Sequence, residues 1–159
     1  MVKNNLKSLL LHILTSFTSI IIFYLFNAST PKWVSEEAAN RHHYNMMFIA
    51  VVLILLAIAL YYAVGKKFLT NQGSIFKNLL SVSITAIIGI FLWVMAFNID
   101  LTGPSNSLLN SELWQVYYMY NGYSLFLINE WGINNQYLFL LSSFIPSATM
   151  ALSMSKNRK

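Results

Sequence analysis

The sequence predicts an all-α, polytopic membrane protein: four transmembrane helices, with an aromatic-rich external interfacial helical hairpin between the third and the fourth. Three observations predict it. First, 57% of the 159 residues are hydrophobic and only 9% are charged, where a soluble domain carries about 25% charged residues. So few charges cannot clothe a soluble core, and the mean hydropathy of +0.56 agrees. Second, four windows are long enough to cross the hydrocarbon, which takes roughly 20 apolar residues, and none of them contains a charge. Third, the charges are sorted between alternate gaps. Lys3, Lys7, Lys66, Lys67, Lys77, Lys156, Arg158 and Lys159 fall on one side, without any acid. Glu36, Glu37, Asp100, Glu112 and Glu130 fall on the other, with Lys32 and Arg41. Basic residues in short loops mark the cytoplasmic face. The reading is a plasma-membrane protein with both termini cytoplasmic, and one domain over residues 1–159.

The first span is expected over about 8–28. Its lead-in, Met1-Val2-Lys3-Asn4-Asn5-Leu6-Lys7, resembles a signal-peptide n-region, but the apolar run is longer than the usual h-region and no A-x-A site closes it. It reads as a retained helix. Ser8, His12, Thr15, Ser16 and Ser19 lie close to one of its faces, and His12 is expected near the cytoplasmic interface.

An external loop, 29–45, follows. Ser35 before Glu36-Glu37-Ala38-Ala39 is a helix N-cap signal with acids in the first turn. A short helix to about Asn40 is expected, with an i,i+4 pair between Glu37 and Arg41. The second span, about 46–64, is almost purely aliphatic from Val51 to Leu60 and is expected to be the one most exposed to lipid. A cytoplasmic loop, 65–77, leads to the third span, about 78–98. There Ser81, Thr85 and Gly89 recur every four residues. In the fourth span, about 137–155, Ser143, Ser147 and Ala151 do the same. Small residues at this spacing let helix backbones approach in a bilayer, where the hydrophobic effect cannot drive association. These six are the expected helix-packing residues. Pro146 breaks one backbone hydrogen bond of the fourth span and is expected to kink it.

The second external loop, 99–136, is the longest segment between spans. Pro104-Ser105 can start a helix, Leu113, Val116, Tyr117 and Tyr120 recur at helical spacing, and Asn121-Gly122 is a turn pair. A second apolar piece, Tyr123–Ile128, ends at Trp131-Gly132. A fifth crossing over Leu113–Trp131 is the main rival, but it would bury Asn121-Gly122 and move the basic C-terminus outside. Trp114, Tyr117, Tyr118, Tyr120, Tyr123 and Trp131 form the candidate partner or ligand surface, since amphipathic rings suit both the membrane interface and protein contacts.

The chemistry-bearing patterns are weak. The chain has no cysteine, no Walker loop, no G-x-S-x-G and no H-E-x-x-H. His42 and His43 are adjacent and diverge by about 100° on a helix, so they make a poor metal pair. Glu112 and Glu130 have no nucleophile near them in sequence. No catalytic residue, metal ligand or cofactor is expected. The net charge of +5 is spread over span ends, which suits anionic lipid rather than nucleic acid. The expected partners are the lipid bilayer and a membrane protein or a second copy of the chain. The functional expectation is a non-catalytic accessory, regulatory or immunity-type subunit, bacterial in composition, acting by association in the membrane. The alternative is a small permease or lipid-handling protein, and a membrane-embedded enzyme comes third.

Overall fold

A computed structural model describes residues 1–28, 35–99, 112–129, 131–132 and 135–155. Expectations for Lys32, Asp100, the Pro104-Ser105 helix start, Glu130 and the basic residues after Ser155 lie outside these. The described residues are all-helical, with no strand: α1 (Val2–Ala28), α2 (Glu36–Phe68), α3 (Ile75–Leu80), α4 (Ser83–Ile99), α5 (Glu112–Tyr120), a 3-10 turn (Gly122–Ser124), α6 (Leu125–Asn129), α7 (Gln136–Ser142) and α8 (Ile145–Ser155). Among the described residues three stretches are long and apolar enough to cross a membrane: Val2–Phe26, Glu36–Phe68 and Gln136–Ser155; Ser83–Asn98 is apolar but shorter.

The shortening of the third stretch has a local cause. In an unbroken helix the Ile84 N–H would bond the Leu80 carbonyl, four residues back. Here Asn5 of α1 takes both ends: its Oδ1 accepts from Ile84 N–H at 3.1 Å, and its Nδ2 donates to Leu80 O at 3.3 Å. A side chain inserted into the hydrogen-bond ladder breaks a helix, and the expected span 78–98 is divided at Ser81-Val82 into α3 and α4. Neighbouring Asn4 clamps the loop after α2. It donates to Thr70 O at 2.8 Å, accepts from Thr70 N–H at 3.1 Å, and donates to Ser81 Oγ at 3.2 Å. Lys7 Nζ reaches the Phe68 carbonyl at the end of α2, at 3.1 Å. The residues that read as a leader-like n-region are the clamp on this end of the bundle.

The fourth stretch is divided by Pro146. Without an N–H, Pro146 cannot bond Ser142 O, and it sits in the first turn of α8, where that loss is tolerated. The preceding residues tighten: Ser143 N–H turns to Leu140 O at 3.2 Å and Phe144 N–H to Leu141 O at 3.1 Å.

The second span differs from its expectation at both ends. The Ser35 cap forms, its Oγ accepting from Ala38 N–H at 3.3 Å, and Arg41 pairs with Glu37 at 3.2 Å on the surface. But the short outer helix does not stop at Asn40. It runs straight into the span, giving 33 residues and about 50 Å of helix. Nor is α2 without a packing stripe. Ala50, Ala57, Tyr61 and Gly65 line one face and are buried. At Gly65 a methyl group would collide with Ser153 Oγ and lie 3.0 Å from the Met150 backbone, so glycine is what allows α8 to close on α2.

The two small-residue stripes of the third and fourth stretches face each other in antiparallel register. Thr85 and Ser147 are hydrogen-bonded through their hydroxyls, and Ser147 Oγ also donates to Val82 O at 2.9 Å. A methyl group on Gly89 would lie 2.9 Å from Ser143 Cβ. Ser81 and Ala151 are buried one step further along.

Candidate functional site: a buried aromatic hairpin

The sequence places α5 at the membrane surface, with Leu113, Val116, Tyr117 and Tyr120 at helical spacing along one face. The structure turns the helix by about one residue. Trp114, Tyr117 and Tyr118 are buried, at no more than 1% exposure, whereas Val116 is 47% and Met119 67% exposed. Tyr123 is also buried, Tyr120 is half-buried and Trp131 is 44% exposed. Most of the candidate partner surface is therefore interior. Trp114, Tyr117 and Tyr118 form one cluster, with Trp114 stacked on Tyr118 at 5.9 Å and Phe139 of α7 set edge-on against Tyr118 at 5.6 Å, while Tyr123 packs in a second one against Tyr61.

Glycine brings the hairpin in. Gly122 N–H donates to Ser16 Oγ at 2.5 Å, halfway along α1, and a methyl group on Gly122 would collide with the Ser16 carbonyl oxygen. Only a residue without a side chain permits that approach. Ser16, on the polar face of the first span, anchors the turn, and it also donates to Met119 O at 2.8 Å.

Three of the hairpin's tyrosine hydroxyls, those of Tyr117, Tyr120 and Tyr123, are given to backbone carbonyls of the neighbouring helices. Tyr123 donates to Ser142 O at 2.5 Å, the carbonyl that Pro146 leaves without its helical donor. Tyr117 donates to Phe139 O, the carbonyl that Ser143 N–H passes over, and lies 2.7 Å from Ser142 Oγ. Tyr120 donates to Thr85 O at 2.9 Å. Buried carbonyls away from water need a partner, and this hairpin supplies them. The sequence signals were Pro146, which names the orphaned carbonyl, and three tyrosines near an Asn-Gly turn; what joins them is not local.

His12 points into the protein. It is fully buried, hydrogen-bonded through Nδ1 to Tyr61 of α2 at 2.9 Å and packed edge-on against Tyr120 at 4.4 Å. Its Nε2 has no partner, and neither do Asn121 Oδ1 and Nδ2 at the tip of the hairpin, nor the Tyr118 hydroxyl. Among the described residues no three His, Cys, Asp or Glu side chains come together as a metal site. His42 and His43 both lie on α2, among its exposed and half-exposed residues.

No protein-family model, no curated protein and no solved structure matches this chain. Residues and geometry alone carry the functional reading.

Proposed function

We propose that this chain is a four-span protein of a bacterial cell membrane, with both termini in the cytoplasm. Its aromatic hairpin re-enters the bundle from the outer side, and it acts as a non-catalytic accessory, regulatory or immunity-type subunit by association within the bilayer. The charge sorting supports the orientation. In this reading α4, with α3 before it, is the fourth crossing; the Asn5 hydrogen bonds to Ile84 N–H and Leu80 O support it, since irregular backbone at membrane depth needs its polar groups satisfied.

The observation that carries the association reading is the use of the hydroxyls. Tyr117, Tyr120 and Tyr123 hold carbonyls of other helices, so the polar interior is committed to shape. The remaining large surfaces are apolar helix faces such as Ile13, Phe17 and Leu55. Extraction in mild detergent, in-cell cross-linking and affinity capture test the reading: a stable hetero- or homo-complex is expected, and a strictly monomeric, partnerless protein refutes it. A reporter fused after Lys159 tests the topology, with a cytoplasmic signal expected.

One observation favours the permease reading as second. His12 Nε2 and the Asn121 amide are buried polar groups without partners, in a chain whose other interior polar groups are largely satisfied. Flux into liposomes holding purified protein, lost on His12→Ala, is its test; no flux of any solute removes it.

A further inference from the structure

One end of the bundle brings cations of two helices to a single residue. Lys7 of α1 donates from Nζ to the Phe68 carbonyl oxygen at 3.1 Å, and Lys67 of α2 holds its Nζ over the Phe68 ring, 5.4 Å from the centroid. Lys3 stands one turn before Lys7 on the same face of α1. All three side chains are exposed. Neutral groups hold the two at Phe68. The carbonyl takes one of the three N–H donors of Lys7, and the ring takes the charge of Lys67 but accepts no conventional hydrogen bond from it. Like charges at this spacing on a helix repel, and no acid answers them. Of the three acids among the described residues, Glu36 and Glu37 open α2, the latter thirty residues from Lys67, or about 45 Å along the helix. The third, Glu112, opens α5, whose next turn faces Tyr24 at the far end of α1.

Apolar side chains surround the cations. Leu6, Leu10 and Phe68 are exposed. So are Ile75 and Phe76 of α3, which Asn4 and Asn5 tie to the same end. Long lysine stems lie along such surfaces while their heads reach the head-group layer. We infer that Lys3, Lys7 and Lys67 bind the phosphodiester head group of an anionic phospholipid, with its acyl chains against Leu6 and Leu10. Charge complementarity selects an anion, and basic residues beside a span attract acidic lipid. The apolar neighbours select a lipid over a soluble phosphate, which has nothing to offer Leu6, Leu10 or Phe68. The site needs only that these lysines share one end; its assignment to the cytoplasmic leaflet rests on the orientation proposed above.

The test is native mass spectrometry of the full chain released from nanodiscs holding equal phosphatidylglycerol and phosphatidylcholine with matched acyl chains. Retained phosphatidylglycerol is expected to exceed phosphatidylcholine severalfold. Lys7→Gln, whose amide can still donate to Phe68 O, lowers that preference severalfold. Lys67→Gln does the same from the other helix should the first variant fail to fold, and Arg41→Gln leaves it unchanged. Glycerophosphoglycerol, the same head group without chains, is expected not to displace the lipid at equal concentration. Equal retention of the two lipids overturns the proposal. So does an equal loss in Arg41→Gln, which shows net charge acting without a site, and so does displacement by glycerophosphoglycerol. The chain has no cysteine, so Thr70→Cys, beside the lysines, reports the leaflet through a membrane-impermeant maleimide added to intact cells. No labelling is expected. Labelling from outside, with the lipid preference intact, refutes the orientation and leaves the lipid site standing. A lipid preference in a chain without any protein partner likewise separates this inference from the association reading.

Discussion

Replacing Tyr123 by Phe removes one oxygen and leaves the Ser142 carbonyl without the donor that stands in for the missing Pro146 N–H. Hydrogen bonds between transmembrane helices average about 0.6 kcal/mol, and an orphaned buried acceptor adds a desolvation cost of about 1–3 kcal/mol. Tyr123→Phe is therefore expected to destabilise the fold by about 1–2 kcal/mol. The sharper expectation concerns Pro146→Ala. This variant regains a backbone N–H at the break, and with it α7 and α8 can join into one ladder in which that N–H serves Ser142 O. In that background the tyrosine hydroxyl is no longer the carbonyl's sole donor, and Tyr123→Phe is expected to cost much less. The double-mutant cycle should show a coupling of about 1 kcal/mol, roughly five-fold in an equilibrium constant. The assay is reversible unfolding in mixed micelles, followed by tryptophan fluorescence. Trp114 reports on the hairpin, because it is buried on α5, the helix that leads into the turn. Strict additivity, within about 0.3–0.5 kcal/mol, would refute the reasoning that the hydroxyl replaces the lost backbone donor.

Further outcomes can be measured in the same assay. Gly122→Ala forces a methyl group against the Ser16 carbonyl; overpacking of this kind costs about 1–3 kcal/mol, and Ser16→Ala should not rescue it, because the obstacle is backbone. Gly65→Ala should be partly rescued by Ser153→Ala, which removes the nearer contact but leaves the Met150 backbone in place. Asn5→Ala frees Ile84 N–H and Leu80 O to bond each other, so its cost should stay below about 1.5 kcal/mol. Asn4→Ala should cost more, since Thr70 N–H is left without its partner and Thr70 O keeps only the Gln72 amide. An Asn4 cost below that of Asn5, read as unfolding midpoints, would contradict the clamp.

Much of the chain was legible at the level of elements. The Ser35 cap, the Glu37–Arg41 pair, the Asn121-Gly122 turn and the break at Pro146 all follow from local chemistry, and the structure contains each of them. The facing stripes of Thr85, Gly89, Ser143 and Ser147 were visible as spacing. The hairpin's inner face was not. Val116 and Met119 are as hydrophobic as any core residue, yet they are exposed, while the tyrosines carrying hydroxyls are inside. The α2 stripe was missed for a related reason: its Ala50, Ala57 and Gly65 are small residues hidden in an aliphatic run.

Composition by itself determined that the chain is helical and that a bilayer must solvate most of its surface, because so few charges leave no other solvent for it. Charge position proposed which ends face which side. Only the tertiary structure decided what lies inside. Lipid tails are as apolar as leucine, so hydrophobic periodicity separates membrane from water but not protein interior from lipid. In this chain that second boundary is drawn by polar groups seeking partners far away in sequence: Asn5 across to Leu80 and Ile84, Gly122 across to Ser16, and Tyr123 to the carbonyl that Pro146 left bare.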